Sequence, residues 1–183
     1  MNFFSDIDGT VGKGVHISPG VVLLGRIDIG DDVFIAPNVT IRCDEPDSQI
    51  IIGDGCNIQD NVVIHSLKGS RVKMAEHCSI GHGAIVHGPC EIERGSFIGF
   101  GSVVFRCRIG RGSMIMHKVL VEDCDIPPDT LVPSGSIVKG RIEHLLPKIR
   151  PEDQRFNEYV IAMNLDLNRR YRSASDPYKI ITN

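Results

Sequence analysis

A branched aliphatic residue returns every six positions along most of this chain. The series runs Val15, Val21, Ile27, Val33, Val39, then Ile52, Ile58, Ile64, then Met74, Ile80, Val86, Ile92, Ile98, Val104. It continues through Ile109, Ile115, Val121 and ends with Ile126, Val132, Val138. Glycine often follows, as in Ile52-Gly53, Ile80-Gly81, Ile98-Gly99 and Ile109-Gly110. A helix repeats near 3.6 residues and tolerates little glycine. A hairpin sheet needs turn signals between strands of ordinary length. A fixed period of six, with branched residues inward and glycine or small polar residues at bends, is the pattern of a parallel β-helix. Three such hexapeptides make one triangular coil of about eighteen residues, so side chains stack coil on coil.

The rest of the composition agrees. Aromatic residues are 5% of the 183 and tryptophan is absent, so valine and isoleucine carry the core. The length suits one domain with an appended element, here a β-helix over 1–140 and a C-terminal helix and tail over 141–183. A net charge of −3 gives no global pull toward nucleic acid or an anionic membrane. No stretch approaches the ~20 apolar residues of a membrane span. The N-terminus lacks a basic region followed by an apolar core, so a cytoplasmic location is the default expectation.

The six cysteines form no C-x-x-C pair, which argues against a structural zinc knuckle. Cys90, Cys107 and Cys124 are spaced 17 apart, one coil less a register slip. That predicts an internal ladder of small buried hydrophobes. The repeat is interrupted between Val39 and Ile52 and between Ile64 and Met74, which predicts two loops. Loops on a rigid scaffold are where function tends to sit. After Val138 the pattern becomes helical. Pro151, Glu152 and Asp153 suit a helix start, and Phe156, Tyr159, Val160, Met163, Leu167 and Tyr171 share one face. A helix of about 21 residues is roughly 30 Å long, against roughly 33 Å for seven coils. It is expected to lie along one side of the β-helix or of a neighbour's. The N-terminal Asp6-x-Asp8-Gly9-Thr10 matches a phosphatase nucleophile motif of the haloacid-dehalogenase type, but no Rossmann-like alternation follows it. It reads as a polar turn.

Between the two loops and beyond them lies the chemistry. His65, His82 and His87 fall within a run of isoleucine, valine and glycine. Three imidazoles are a candidate metal set that leaves a fourth position open. His82 and His87 are about 16 Å apart if the chain between them is extended. Each side chain reaches only roughly 6 Å to a metal with Zn–N near 2.1 Å. A bend at Gly83 would help them meet within one chain; sharing the metal between chains is the easier alternative. His16, His77, His117 and His144 read as surface or core residues.

With Arg42-x-Asp44-Glu45, Asn57-x-Gln59-Asp60, His65, Gly81-His82 and His87-Gly88 in that order, the chain resembles the γ-class carbonic anhydrases, over roughly 15–171. The resemblance implies a left-handed β-helix, a homotrimer, and a divalent metal (Zn2+, with Fe2+ or Co2+ as alternatives) at each subunit interface. It places the ligands on His65 and His87 of one chain and His82 of the next. It places the active-site glutamate on Glu45, the polar active-site pair on Asn57 and Gln59, and an inter-subunit ion pair on Arg42 and Asp44. The implied reaction is reversible hydration of CO2 to bicarbonate by a metal-bound hydroxide. Leu67 and Lys68 stand where the best-known members carry an acidic proton-shuttle loop, so the chain resembles the shorter-loop branch. Two rival readings share the fold: an acyltransferase or thioesterase acting on a coenzyme A thioester, and a non-catalytic metal-binding structural subunit.

Overall fold

The computed structural model describes residues 8–140 and 146–173. Asp6 of the phosphatase-like motif, His144 and the tail 174–183 lie outside them. The chain winds as a left-handed parallel β-helix of about seven coils, followed by one helix, α1 (Pro151–Ser173). The first face stacks seven short strands: His16–Ile17, Phe34–Ile35, Asn57–Ile58, Ser79–Ile80, Phe97–Ile98, Met114–Ile115 and Leu131–Val132. The second face begins with Val22–Gly25, Thr40–Cys43 and Val63–His65. The third begins with Ile27–Ile29, Gln49–Ile52 and Arg71–Met74. In the fourth coil Ile85–Ile92 spans both of these faces, with a register shift between His87 and Cys90 at the corner.

Every pairing between these strands is parallel, and apart from that shift at the corner it is in register, so each inward residue stacks on its equivalent in the next coil. Ile17, Ile35, Ile58, Ile80, Ile98, Ile115 and Val132 form one such column. Leu23, Ile41, Ile64, Val86, Val104, Val121 and Val138 form the second. Away from the ends these side chains are almost fully buried, each contributing about 1.5–3 kcal/mol. The cysteine ladder is present: Cys90 and Cys107 continue the column Ile27, Ile50, Val72 on the third face. Their sulfurs lie 3.5 Å apart. The adjacent Cys90 thiol first, and then burial, push Cys107 well above the ordinary thiol range, as suits a packing residue.

The six-residue count is out of phase in the first two coils. The columns run through Ile35 and Ile41, not Val33 and Val39. Each face buries two inward residues, two positions apart, and here both are aliphatic (Val33 and Ile35, Val39 and Ile41). With the phase corrected, the extra residues reduce to the loops 44–48 and 66–70, both at the second corner, where the fifth coil is instead one residue shorter than the fourth (His87 and Cys90 against Phe105 and Cys107). The loops stack on one another: Ser66 N–H donates to Arg42 O at 3.1 Å and Gly69 N–H to Pro46 O at 3.0 Å.

Helix α1 runs antiparallel to the coil direction over the first face, but not on the apolar face expected for it. Its buried residues are Asn157 and Asn168, while Phe156, Tyr159 and Met163 are exposed. The surface it covers is rimmed by carbonyls of the third-corner turns, and these need donors. Asn157 Nδ2 donates to Gly95 O at 2.7 Å. Asn168 Nδ2 donates to Gly14 O at 2.9 Å and Asp32 O at 3.0 Å. At the far end Tyr171 sits edge-on to His16 at 5.2 Å and to Phe34 at 5.3 Å.

Two outcomes follow from this docking. Asn168→Ala strands the Asp32 carbonyl and leaves Gly14 O only the Arg172 Nη1 donor at 3.1 Å; it is expected to lower unfolding stability by about 1–3 kcal/mol, whereas Tyr159→Ala changes it little, and urea denaturation measures both. Burial also holds the His16 pKa below its ordinary value. Below about pH 6.5 the unfolded chain takes up a proton that folded His16 resists. Stability is therefore full above that pH and declines as pH falls toward the folded pKa. The urea midpoint is expected to be lower at pH 5.5 than at pH 7.5, by less in His16→Gln.

Candidate metal centre

Ile64 and Val86 point into the core, so the next residues, His65 and His87, face outward at the second corner. The ladder makes Arg42, His65, His87 and Phe105 successive register partners, one per coil. His65 Nδ1 lies 3.1 Å from His87 Nε2, with the rings edge-on at 4.8 Å. At that distance the two nitrogens share one hydrogen bond, which holds the rings together at one point of the second corner.

Fixed-polarity partners determine where the protons sit. His87 Nδ1 contacts Gly88 O at 3.3 Å. A carbonyl only accepts, so Nδ1 carries the proton and Nε2 the lone pair. His65 Nδ1 then donates toward that lone pair, which leaves the His65 Nε2 lone pair free. This atom is buried and has no hydrogen-bond partner. Glu45 Oε1 is 3.7 Å away across a gap. An unfilled buried acceptor costs about 1–3 kcal/mol, and a cation between His65 and Glu45 would remove that cost. Burial first, then the charge of Arg42 and the neighbouring His87, hold the His65 pKa below its ordinary value. The neutral ring is the form that binds a metal. The residues therefore fit a divalent ion.

Glu45 is carried on the 44–48 loop. Its Oε2 accepts the Lys68 backbone N–H at 2.8 Å, so the two stacked loops hold the carboxylate over His65. Arg42 Nη1 and Asp44 Oδ2 are 3.5 Å apart within the chain, and both are exposed. Such a pair contributes about 0–1 kcal/mol to a single protomer.

The other expected residues occupy the first corner, across the width of the second face. Asn57 and Gln59 follow one another on the first face, and Gln59 Nε2 donates to Asn57 Oδ1 at 2.6 Å. His82 occupies the turn that follows that face in the next coil. Gly83 does bend the chain, at φ 66°, but His82 faces Asp60 and Phe100, not His87. Among the described residues no three metal-binding side chains gather at one point.

Sequence reasoning missed Asn164. Its Oδ1 accepts from Gln59 Nε2 at 3.4 Å, which ties α1 to the polar pair. The signal was present as Asn157, Asn164 and Asn168, which share one helix face. A reading that sought only apolar faces passed over it. Of the histidines set aside, His77 holds a positive-φ turn position, φ 59°, against Gly55, and His117 stacks on Phe100 at 4.5 Å.

Comparison with known proteins fits this geometry. A family model, Bacterial transferase hexapeptide (six repeats), matches residues 8–43 and 71–106. The carboxysome assembly protein CcmM of Nostoc sp. is 35% identical over 92% of this chain, which spans only 32% of that protein's length. An archaeal protein of Methanocaldococcus jannaschii, named "Probable carbonic anhydrase", is 35% identical over 80% of this chain and 92% of its own length. A solved structure from Bacillus cereus, described as a candidate acetyltransferase, superposes with a TM-score of 0.80 at 27% identity, covering 90% of this chain and 92% of its own. The six-residue repeat and the match along nearly all of the archaeal relative establish that the chain belongs to the γ-class carbonic anhydrase family of hexapeptide-repeat proteins.

Proposed function

We propose that the protein is a γ-class carbonic anhydrase-like metalloenzyme that hydrates CO2 reversibly to bicarbonate at sites shared between the subunits of a homotrimer. The observation that carries this reading is the buried, unpartnered Nε2 of His65, paired with His87 while His82 faces outward from the opposite edge of the second face. His65 and His87 of one protomer with His82 of the next would hold the ion. Imidazole donors suit zinc, iron and cobalt, and Zn2+ is the assignment made here. When bound, the ion would supply acidity, lowering the pKa of a water to about 7.

The chain's own residues do the rest. The Asn57 carbonyl oxygen and Asn164 orient the Gln59 amide, whose oxygen is then free to accept from the reacting water and align it on the CO2 carbon. Hydration of CO2 to bicarbonate releases one proton. Glu45 Oε1, beside His65, accepts it; the side chain is 39% exposed and passes it to solvent. Leu67 and Lys68 offer no acidic group beyond Glu45, which predicts proton transfer slower than with a carboxylate in that loop. Arg42 and Asp44 exchange partners across the subunit boundary.

Likeness to an assembly protein favours a second reading, a metal-binding structural subunit without useful turnover. Stopped-flow CO2 hydration separates the two, with protein loaded with Zn2+, or with Fe2+ without oxygen, and His82→Ala as blank. Turnover by the loaded protein and none by the blank is expected; metal-loaded protein no faster than the blank would sink the enzyme reading. Refolding His65→Ala together with His82→Ala is expected to restore part of the activity that each lacks alone, since a mixed trimer contains some intact shared sites. Coenzyme A binding by metal-free protein would point instead to a thioester substrate.

A further inference from the structure

At the first corner each coil presents one turn residue just before the positive-φ position, and these residues stack as Pro19, Pro37, Asp60, His82, Phe100, His117 and Ser134. Two of them are histidines in equivalent positions. Each turns its Nδ1 toward the preceding coil, but toward partners of opposite polarity. His82 Nδ1 lies 2.9 Å from Asp60 Oδ2. A carboxylate only accepts, so Nδ1 carries the proton and Nε2 presents a lone pair. His117 Nδ1 accepts the backbone N–H of Phe100 at 3.0 Å. The proton of that neutral ring is therefore on Nε2, which has no lone pair to offer.

The His82 ring is held on its other side by Phe100, at 5.1 Å. Phe100 in turn packs over Gly81, where a Cβ would fall 2.7 Å from its ring. Gly81 and Gly83 flank His82 and lend it no side-chain support, so Asp60 below and Phe100 above fix its orientation. The His82 side chain remains 51% exposed.

We propose that Asp60 is a positioning residue for metal capture: it locks His82 in the Nδ1–H tautomer and presents Nε2 outward as a donor to a neighbouring protomer. The same interaction separates His82 from His117, which occupies the same column with the wrong tautomer. The inference rests on His82 being a ligand, as read above. A carboxylate on the far nitrogen of a ligating histidine is a recurrent device, and its loss typically weakens metal affinity 10–100-fold.

The test uses the assembled protein and two readouts. In metal-free protein, long-range 1H–15N NMR of the ring nitrogens reads the tautomer directly. His82 is expected as Nδ1–H in the wild type and shifted toward Nε2–H in Asp60→Asn, whose amide can donate to Nδ1. Zinc affinity, by competition with a chromophoric chelator, is expected to fall about 10–100-fold in Asp60→Asn and to stay within about twofold in His117→Gln, with trimer mass and melting temperature unchanged. Asp60→Glu restores part of the loss if the carboxylate itself is what matters. His82 found as Nε2–H in the wild type, or zinc held equally by wild type and Asp60→Asn, overturns the inference alone. Wild-type protein that binds no zinc overturns the metal reading and this inference with it.

Discussion

The in-register parallel ladder between successive coils is the constraint on which the rest of the structure depends. Because each backbone segment bonds to its equivalent one coil away, every side chain has a fixed neighbour above and below, about 4.8 Å off. The core, the cysteine stack and the turn column are all consequences of that single rule. So is the candidate site: Arg42, His65, His87 and Phe105 meet because they hold the same ladder position in successive coils, although loops separate some of them in sequence. An inserted residue within a face would displace every later column, which is why extra residues are confined to a corner.

The ladder made the fold legible. Periods of six survive loops and slips, and the spacing of the cysteines reports coil length from sequence alone. The phase was less legible in the first coils, since Val33 and Ile35 are both aliphatic and both buried; periodicity cannot choose between two apolar positions. The helix was legible as a helix but not in its docking. Hydrophobic patterning assumes that an apolar face seeks the core, whereas this one is seated by asparagine amides that satisfy turn carbonyls. Asn164 went unseen for the same reason. The pairing of His65 with His87 followed from their motif context, but the orientation of His82 did not. That depends on Asp60 one coil earlier, a neighbour that sequence distance conceals.

At both corners, backbone or carboxylate groups of fixed polarity dictate the state of an imidazole. The Gly88 carbonyl sets His87, His87 sets His65, and Asp60 sets His82, while the Phe100 N–H sets His117. Histidine is ambiguous as a sequence symbol, since either nitrogen can carry the proton. Within the coil each ring has lost that ambiguity. Burial and Arg42 then keep His65 neutral, so the second corner offers lone pairs and not charge.

The loops 44–48 and 66–70 leave the coil at the same corner as His65 and His87, yet contribute nothing to the spacing of those rings. Spacing belongs to the ladder; what lies over the rings belongs to the loops. The two properties are therefore free to drift independently. A descendant of this chain could lengthen, shorten or recharge its loops, and so change how fast protons leave or whether small molecules enter, without disturbing the distance between its imidazoles. Retention of the histidine geometry is accordingly a poor guide to rate in such a scaffold, and loop chemistry a poor guide to whether an ion is held.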